Sequence, residues 1–290
     1  MAFSTSLPSV SIVGCGWVGL PAGQMLASQE YLVRGSTTRA SRQEVLADAG
    51  ISPFVTTLQP APAPEAPALF KSDILLCTLP PGRSNATAAN ENTYAAQIRA
   101  LMQQAKTHDV GRVIYTSSTG VYPPVNGTVD ESDFDPQHPE DFDAPARHTA
   151  HAVRKAERII TAAYPEASVL LRLGGLFGPE RHPGRFIAGR TNVARPHGPV
   201  NMVHRDDVVG AITHVIRNDV REGIFNVVAP KHPTRRVFYE AAATDYGGTP
   251  PTFGPAEGPT GKRVSSARLV ETLGYTFQHP DPIALFQQQA

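Results

Sequence analysis

Short apolar runs alternate with amphipathic stretches along the first part of the chain. Residues 10–13 form a β-branched run that ends in glycines, and residues 20–29 then have the length and apolar spacing of a helix. The same features predict further strands at 31–34, 54–58, 73–79, 112–116 and 168–173. They predict further helices at 41–49, 90–108 and 146–164. Strands that alternate with helices in this way indicate a parallel sheet crossed by helices.

The pattern loosens after Gly178-Pro179, where the loops become longer. Here the sequence predicts a strand at 224–228 and helices at 205–217, 234–246 and 265–273. The six earlier strands suggest an α/β fold of the Rossmann type, a doubly wound parallel sheet with a small C-terminal α/β annex on the substrate side. We therefore predict an NAD(P)-binding Rossmann domain over residues 1–178 and a smaller substrate-binding region over residues 179–290, interleaved with it.

A glycine-rich turn joins the first predicted strand to the first predicted helix. Gly14, Gly16 and Gly19 have the GxGxxG spacing, and they lie in the strand–turn–helix context in which this motif binds a dinucleotide. Gly14 permits the tight turn, Gly16 lets the backbone approach the pyrophosphate, and Gly19 allows close packing of helix and sheet. The phosphates would face the helix N-terminus, beside Trp17 and Val18.

The end of the second strand predicts which coenzyme is bound. An NAD site typically has an Asp or Glu about 20 residues beyond the glycine turn, and this chain has none there. We therefore favour NADP, with NAD as the alternative. Hydroxyl and guanidinium groups that suit a 2′-phosphate are present instead, in Arg34, Ser36, Thr37, Thr38 and Arg39. The opposing interpretation is that Arg34 and Arg39 are ordinary solvated loop residues.

A further cofactor contact is predicted where the strand at 73–79 ends. Ligands of such sheets lie at the carboxyl ends of the strands, so this exit would pass beside the adenosine and its ribose. Thr78, Leu79 and Pro80 would contribute mainly backbone and apolar contacts.

Composition argues against several classes of function. Lys+Arg and Asp+Glu are both 26, so no global field favours nucleic acid or an anionic membrane. The two cysteines, Cys15 and Cys77, lack metal-ligand or disulfide spacing, so we expect no metal site and a reducing cytoplasm. No apolar stretch approaches the ~20 residues needed to cross a bilayer. The first 20 residues contain no Lys or Arg, which argues against a signal peptide.

Five segments carry a resemblance to a known family: residues 14–19, 116–122, 171–179, 200–207 and 226–228. With them the chain resembles the extended short-chain dehydrogenase/reductases, the NAD(P)-dependent epimerase/dehydratase family, and especially a divergent bacterial branch of it. The resemblance implies that Ser118 is the catalytic serine, whose hydroxyl bonds the substrate oxygen, and that Ser117 contacts the cofactor. The alternative is that Ser118 is a strand-end serine that satisfies backbone groups.

The proton-transfer pair of that family is missing from its expected helix. The family uses a Tyr and, four residues later, a Lys; alignment on the end of the helix puts Thr149 and Val153 at those positions. A register shifted by two residues would nominate His151 and Lys155. Helical periodicity places those two on the face opposite the apolar one, which argues against them.

Tyr122 is the residue that we consider as a replacement for the missing phenol. It follows Ser118 by four positions and emerges from the same strand end. The alternative is that Tyr122 packs in the wall of the pocket. Hydride transfer itself requires the nicotinamide and a positioned carbonyl or imine, so the loss of the pair weakens the case for ordinary carbonyl reduction without abolishing it.

Residues 181–205 contain five arginines and three histidines without a single acid. The segment follows the strand at 168–173, so we expect it to overhang the nicotinamide end, where arginines can bind a carboxylate or phosphate with two hydrogen bonds. The predicted substrate is therefore anionic, and its predicted binding residues are Arg181, His182 and Arg185. The alternative is ordinary solvated loop charge.

The predicted insertion at 119–145 has the opposite charge. It carries seven acidic residues from Asp130 to Asp143, with no Lys or Arg between them. We hypothesise that it is a lid facing the basic segment, which would tune access of an anionic ligand. His204 and Asp207, at the start of a predicted helix, are expected to cap that helix and pack the annex rather than to react.

These features predict an NADP-dependent oxidoreductase or epimerase-like enzyme that acts on a small anionic or sugar-derived metabolite. The alternative is a non-catalytic protein on a degenerate short-chain dehydrogenase scaffold, which senses NADP(H) or a nucleotide sugar. The missing Tyr/Lys pair favours the sensor, whereas Ser118 and the arginine-rich segment favour the enzyme. By analogy with related folds, the helices at 90–108 and 146–164 would pair in a homodimer.

Overall fold

The computed structural model describes residues 7–57, 66–82, 88–138, 148–255 and 260–286. Its strands are β1 (Val10–Val13), β2 (Val33–Thr37), β3 (Ser52–Val55), β4 (Ile74–Cys77), β5 (Arg112–Ser118), β6 (Gly127–Val129), β7 (Ser168–Leu173), β8 (Gly175–Phe177), β9 (Met202–His204), β10 (Gly223–Val227) and β11 (Lys262–Val264). Short 3₁₀ turns lie between several of these elements.

The α-helices follow the predicted alternation with the strands. They are α1 (Gly19–Ala27), α2 (Gln43–Asp48), α3 (Ala88–Thr107), α4 (His148–Ala163), α5 (Gly184–Ile187), α6 (Arg205–Arg217), α7 (Arg235–Asp245) and α8 (Ala267–Leu273). Within the described ranges, no helix has both the length and the apolar character needed to cross a membrane.

Seven strands form one parallel sheet, which confirms the predicted fold class. Its order is β10-β7-β5-β4-β1-β2-β3. Val10 of β1 pairs with Val33 of β2 on one side and with Ile74 of β4 on the other. The chain thus builds outward from β1 in one direction and then in the other, so the sheet is doubly wound. The carboxyl ends of β1 and β4 flank the switch point at which such sheets bind ligands.

Burial explains the near-continuous apolar sequence of the central strands. Every residue of β1 and of β4 is buried. Strands of a parallel sheet are covered on both faces by the crossover helices, so apolar side chains are required at successive positions and not only at alternate ones. The same sequence feature predicts both the strand and its central place in the sheet.

Residue contacts divide the chain into two compact units. The first comprises the described residues of Met1–Val121, Asp135–Leu171 and Ile212–Ile224, and the second those of Tyr122–Phe134, Arg172–Ala211 and Phe225–Ala290. Within the second unit, β6 pairs with β11 and β8 pairs with β9, both in parallel. Each unit is therefore assembled from three separate segments of sequence.

Two strands differ from their predicted positions. The strand predicted at 224–228 and assigned to the annex is β10, which pairs beside β7 at the edge of the main sheet. The apolar run alone does not reveal which sheet a strand joins, and residues from Phe225 onward still group with the second unit by their contacts. β2 extends to Thr37 rather than ending at Arg34, and its last residues, Ser36 and Thr37, are buried. Small hydroxyl side chains fit this crowded strand end as well as they fit a loop.

Candidate functional site

The glycine turn is fixed by hydrogen bonds to the two strand ends beside it. The Gly14 backbone N–H donates to the Ser36 hydroxyl oxygen at 2.9 Å, and the Cys15 N–H donates to the Ser36 carbonyl at 3.2 Å. The Thr78 hydroxyl, one residue after β4, donates to the Gly14 carbonyl at 2.6 Å. Because these bonds join the ends of β1, β2 and β4, the turn is preformed at the switch point of the sheet.

Glycine is required at two positions of the turn for different reasons. Gly14 has φ +103°, a conformation that side chains other than glycine rarely adopt. A Cβ atom on Gly19 would lie 2.7 Å from the Thr78 hydroxyl and would also overlap the Gly14 carbonyl oxygen. Gly16 is exposed, as the predicted approach to a pyrophosphate requires. Trp17 and Val18 are half-buried and directly precede α1, whose first turn contains no acidic residue.

The exit from β2 separates buried hydroxyls from exposed groups. The Ser36 and Thr37 hydroxyls bond local backbone, Ser36 to Gly14 and Thr37 to Arg39. Thr38 and Arg39 follow the strand and are exposed. They are therefore the members of the predicted set that remain accessible to a ribose 2′-substituent.

Arg42 is a candidate phosphate ligand that the sequence analysis missed. Burial raises the pKa of the Cys15 thiol to about 12, and the Arg42 guanidinium opposes that rise. The charge of Arg42 therefore acts on the Cys15 thiol, a side chain of the glycine turn. The tripeptide Ala40–Arg42 forms a 3₁₀ turn after β2, so Arg42 follows the exposed Arg39 by three positions.

Arg34 is not part of this group, which corrects one interpretation of the sequence. Hydrogen bonds from Ser9 lower the pKa of Asp73, and the Arg34 guanidinium adds a smaller lowering effect. Ser9 and Asp73 precede β1 and β4, so they mark the amino ends of the strands. In a parallel sheet that edge is opposite the ligand-binding edge.

Residues beyond β4 have mixed exposure. Thr78 and Leu79 are half-buried and Pro80 is exposed. The Leu79 carbonyl accepts a 2.8 Å hydrogen bond from the Tyr94 hydroxyl, which also lies 2.9 Å from the Tyr115 hydroxyl. This buried tyrosine pair anchors the strand exit from below and leaves Pro80 at the surface.

The end of β5 carries two serines with different surroundings. The Ser117 side chain is buried and its hydroxyl donates to Oε1 of Glu157, a fully buried residue of α4. The Ser118 hydroxyl oxygen accepts a 3.1 Å hydrogen bond from the Gly120 N–H. This bond occupies one of the two acceptor lone pairs of Ser118 and leaves its O–H able to donate to a ligand.

Helix α4 has no phenol or ammonium group where the resemblance would place them. Thr149 is exposed and Val153 is buried. His151 is half-buried, and Lys155 reaches Asn92 at 3.4 Å. Arg154 and Glu157 of the same helix are fully buried, so polar side chains of α4 are not confined to its exposed face.

Tyr122 is enclosed in the second unit. Its hydroxyl donates to Oδ1 of Asn226 at 2.7 Å and accepts from Nη1 of Arg172 at 3.0 Å. The guanidinium of Arg172 lies between the rings of Tyr122 and Phe134. Burial raises the pKa of Tyr122 to about 12 despite the Arg172 charge. A phenol that is 2% exposed and held in this way favours the packing interpretation over proton transfer.

The first half of the acidic insertion is anchored in the same unit. Glu131 is buried and its carboxylate accepts a 2.6 Å hydrogen bond from the Asn226 N–H, while β6 pairs with β11. Burial raises the pKa of Glu131. The remaining acids of the insertion, Glu140, Asp141 and Asp143, lie outside the described residues, so the lid stays a hypothesis.

The predicted substrate-binding residues occupy three different environments. His182 Nε2 lies 2.9 Å from Oδ2 of Asp245, and its Nδ1 accepts from the Gly184 N–H at 3.1 Å. Both ring nitrogens are therefore engaged within the protein. Arg185 is exposed on α5. Arg181 is half-buried and lines a cavity.

That cavity has a volume of about 470 Å³ and is basic. Arg181, Arg190 and Arg235 line it together with Phe186 and Tyr239, and none of its described lining residues is acidic. Arg235 donates from Nε to the Ala194 carbonyl at 3.0 Å, with its guanidinium 5.1 Å from the centre of the Tyr239 ring. Arg235 lies on α7, beyond the basic segment at 181–205, so the charge pattern of that segment does not indicate it.

His204 has the predicted capping role at the start of α6, whereas Asp207 holds the segment after α8. The Asp206 N–H donates to His204 Nδ1 at 3.3 Å. Asp207 is fully buried and accepts from the backbone N–H groups of Gln278 at 2.6 Å and His279 at 3.0 Å. Burial lowers the pKa of His204, and His279 lowers it further.

Comparison with known proteins agrees with this geometry. The family model described as NAD dependent epimerase/dehydratase family matches residues 15–228. Protein YeeZ of Escherichia coli is 35% identical over 286 residues, which cover 96% of this chain and 99% of YeeZ. The fold and the glycine-turn site thus define a Rossmann-type nucleotide-binding protein. The chain belongs to the NAD dependent epimerase/dehydratase family.

Solved structures share the fold at low sequence identity. UDP-glucuronic acid 4-epimerase from Bacillus cereus, in complex with UDP-glucuronic acid and NAD, has a TM-score of 0.74 at 13% identity, covering 97% of this chain and 100% of that one. ADP-L-glycero-D-manno-heptose-6-epimerase from Helicobacter pylori has a TM-score of 0.72 at 14% identity, covering 99% and 97%. At these identities the likeness concerns the fold alone.

Proposed function

We propose that the protein is an NADP-dependent oxidoreductase or epimerase-like enzyme that acts on a small anionic, sugar-derived metabolite. The observation that carries this proposal is the basic cavity lined by Arg181, Arg190 and Arg235. Guanidinium groups bind carboxylate and phosphate oxygens through paired, charge-assisted hydrogen bonds, so a cavity with three of them selects an anion.

The shape and chemistry of the cavity favour a nucleotide-linked sugar within that class. Phe186 and Tyr239 offer aromatic surface for a base, while the arginines suit a diphosphate. The Bacillus cereus neighbour is bound to UDP-glucuronic acid and NAD, a ligand pair of this chemical type. The ligand pair belongs to the neighbour and supports the proposal by analogy. The arginines and aromatic residues of the cavity are the support that this chain itself provides.

The coenzyme preference for NADP rests on the residues after β2. No Asp or Glu lies between Tyr31 and Gln43, so no carboxylate repels a 2′-phosphate there. Thr38 and Arg39 are exposed at the strand exit, and Arg42 places positive charge near the glycine turn. These groups would hold the 2′-phosphate, while the N-terminus of α1 would hold the pyrophosphate.

The nicotinamide would supply the hydride, and the chain would orient the substrate. Ser118 would donate its hydroxyl proton in a hydrogen bond to the substrate oxygen that gains or loses negative charge. Val153 and Thr149 cannot replace the family's Lys and Tyr, since neither is an acid or base near neutrality. Proton transfer would then depend on the substrate's own groups or on water, and turnover would be slow.

A single-turnover assay tests the proposal. NADPH oxidation and NADP reduction would be followed with UDP-, dTDP- and GDP-sugars, with Ser118→Ala as the test variant and Ser132→Ala, an exposed serine, as the control. We expect turnover with at least one sugar and a loss of about 10²-fold in Ser118→Ala, as for the removal of one hydrogen-bond donor to a developing oxyanion.

Two other outcomes would decide against the proposal in different ways. Equal turnover in Ser118→Ala and in the control would exclude the serine from the reaction. Tight binding of both coenzyme and nucleotide sugar without any turnover would favour the sensor, which the buried Val153 at the family's lysine position already supports.

A further inference from the structure

Three potential metal ligands meet where β9 leads into α6. His204 is the last residue of β9, Asp206 is the second residue of α6, and His279 follows α8 much later in the sequence. Their donor atoms all lie within 4.8 Å of one another. His204 Nδ1 is 3.7 Å from Oδ2 of Asp206, and the two imidazole centres are 4.2 Å apart. The fold thus brings together residues that their spacing in the sequence does not connect.

Two imidazoles and one carboxylate are a donor set for a divalent transition metal. Zn²⁺ binds His nitrogen and carboxylate oxygen at about 2.0–2.2 Å, so shared donors lie roughly 3–3.5 Å apart around one ion. The 3.7 Å between His204 and Asp206 is slightly wider than this, and all three donors lie within 4.8 Å of one another. The Asp206 side chain is 45% exposed and so is able to rotate inward. That exposure also gives an ion a route of entry and leaves positions for water.

Neighbouring residues orient the ligands. Oδ1 of Asp206 accepts from Nε of Arg205 at 3.4 Å, which leaves Oδ2 directed toward His204. The Asp207 carboxylate binds the backbone N–H of His279 and so fixes the segment that carries it. Such partners behind the ligands are what hold a metal site in shape. Metal would replace the long 3.3 Å hydrogen bond that His204 Nδ1 accepts from the Asp206 N–H.

We propose that His204, Asp206 and His279 bind one divalent transition-metal ion, with Zn²⁺ as the representative. The positive N-terminal end of α6 disfavours a cation, and the negative charge of the Asp206 carboxylate offsets this effect. The ion would tie the segment after α8 to the junction of β9 and α6. This role is independent of the proposed enzymatic function. It also departs from the expectation of no metal site, which considered cysteine spacing.

The test uses the full-length chain with any affinity tag removed and bound metal stripped by a chelator. Zn²⁺ binding would be measured by calorimetry, and Co²⁺ would report the coordination sphere through its visible absorption. The test variants are His279→Ala and Asp206→Asn, and the matched control is His197→Ala, which removes an exposed histidine of the same unit. Circular dichroism and thermal melting would verify that each variant folds.

We expect one Zn²⁺ per chain in the wild type and in His197→Ala, with a higher melting temperature when Zn²⁺ is present. Both test variants should bind about 10- to 100-fold more weakly and lose the temperature shift. Absence of stoichiometric uptake by the wild type would overturn the proposal. So would equal affinity in His279→Ala and His197→Ala, because the ion would then be held elsewhere.

Discussion

The Ser36 hydroxyl oxygen accepts a 2.9 Å hydrogen bond from the backbone N–H of Gly14. This bond joins the turn that would face the pyrophosphate to the strand exit that would select the ribose. Thr78 holds the same turn from the other side through the Gly14 carbonyl. Recognition of the phosphates and recognition of the ribose are therefore structurally linked, and substitutions in the turn should affect both.

Gly19→Ala should abolish coenzyme binding. Its Cβ would lie 2.7 Å from the Thr78 hydroxyl and would overlap the Gly14 carbonyl, so the turn would have to open. The control is Gly82→Ala, at which a Cβ meets no atom within 4 Å. Calorimetry with NADPH should give no measurable binding for Gly19→Ala and wild-type affinity for Gly82→Ala. Normal binding by Gly19→Ala would mean that the turn does not hold the coenzyme.

Tyr122→Phe should cost stability rather than chemistry. The change removes a hydroxyl that serves both Asn226 and Arg172, and leaving such buried groups unsatisfied costs about 1–3 kcal/mol. Urea denaturation would measure the loss, with Tyr246→Phe, a half-exposed tyrosine, as the control. If Tyr122→Phe unfolds like the wild type but loses turnover selectively, the phenol is catalytic after all.

Stability should fall as the pH rises from 10 to 12. Burial raises the pKa of Tyr122 from 10.0 to about 12, so the unfolded chain loses this proton first. The free energy of unfolding keeps its full value below pH 10 and falls as the pH rises through the pKa of folded Tyr122. The loss is about 2–3 kcal/mol for this residue. Urea titrations at several alkaline pH values would measure it. Tyr122→Phe should show a shallower decline, and an unchanged slope would contradict this assignment.

Arg235→Ala should weaken binding of an anionic ligand in the basic cavity. Loss of one charge-assisted hydrogen bond corresponds to about a 10- to 100-fold rise in the dissociation constant of uridine diphosphate or pyrophosphate. The control is Arg236→Ala, since the Arg236 side chain pairs with Glu240 and is absent from the described cavity lining. Equal affinities in the two variants would mean that the basic cavity does not bind the anionic ligand.

Much of the fold follows from local sequence, because helices and central parallel strands have distinct apolar periodicities. The strand predicted at 168–173 and the helix predicted at 205–217 have the observed bounds as β7 and α6. Sheet membership is harder to predict, since the pairing of β10 with β7 depends on residues distant in sequence. The family and the fold class were predicted correctly, because the motifs that indicate them are each a continuous segment of sequence.

The details of the site depend on contacts between distant segments. Arg42 and Arg235 lie outside the sequence motifs of the predicted site. The effect of Arg42 on the Cys15 thiol and the place of Arg235 in the cavity lining are visible only in the folded chain. Tyr122 shows the opposite situation. Its position four residues after Ser118 suggested a role in proton transfer, but its hydroxyl forms hydrogen bonds with Asn226 and Arg172 inside the protein. Sequence spacing alone does not reveal such partners.

Calorimetric titration with NADPH and NADH, on the wild type and Arg42→Ala, tests the central claim most directly. The wild type should bind NADPH at least about 10-fold more tightly than NADH, since a charged hydrogen bond contributes about 1.5–3 kcal/mol. Arg42→Ala should lose that preference while keeping its affinity for NADH. No binding of either coenzyme by the wild type would contradict the account, and equal binding of both would contradict its NADP specificity.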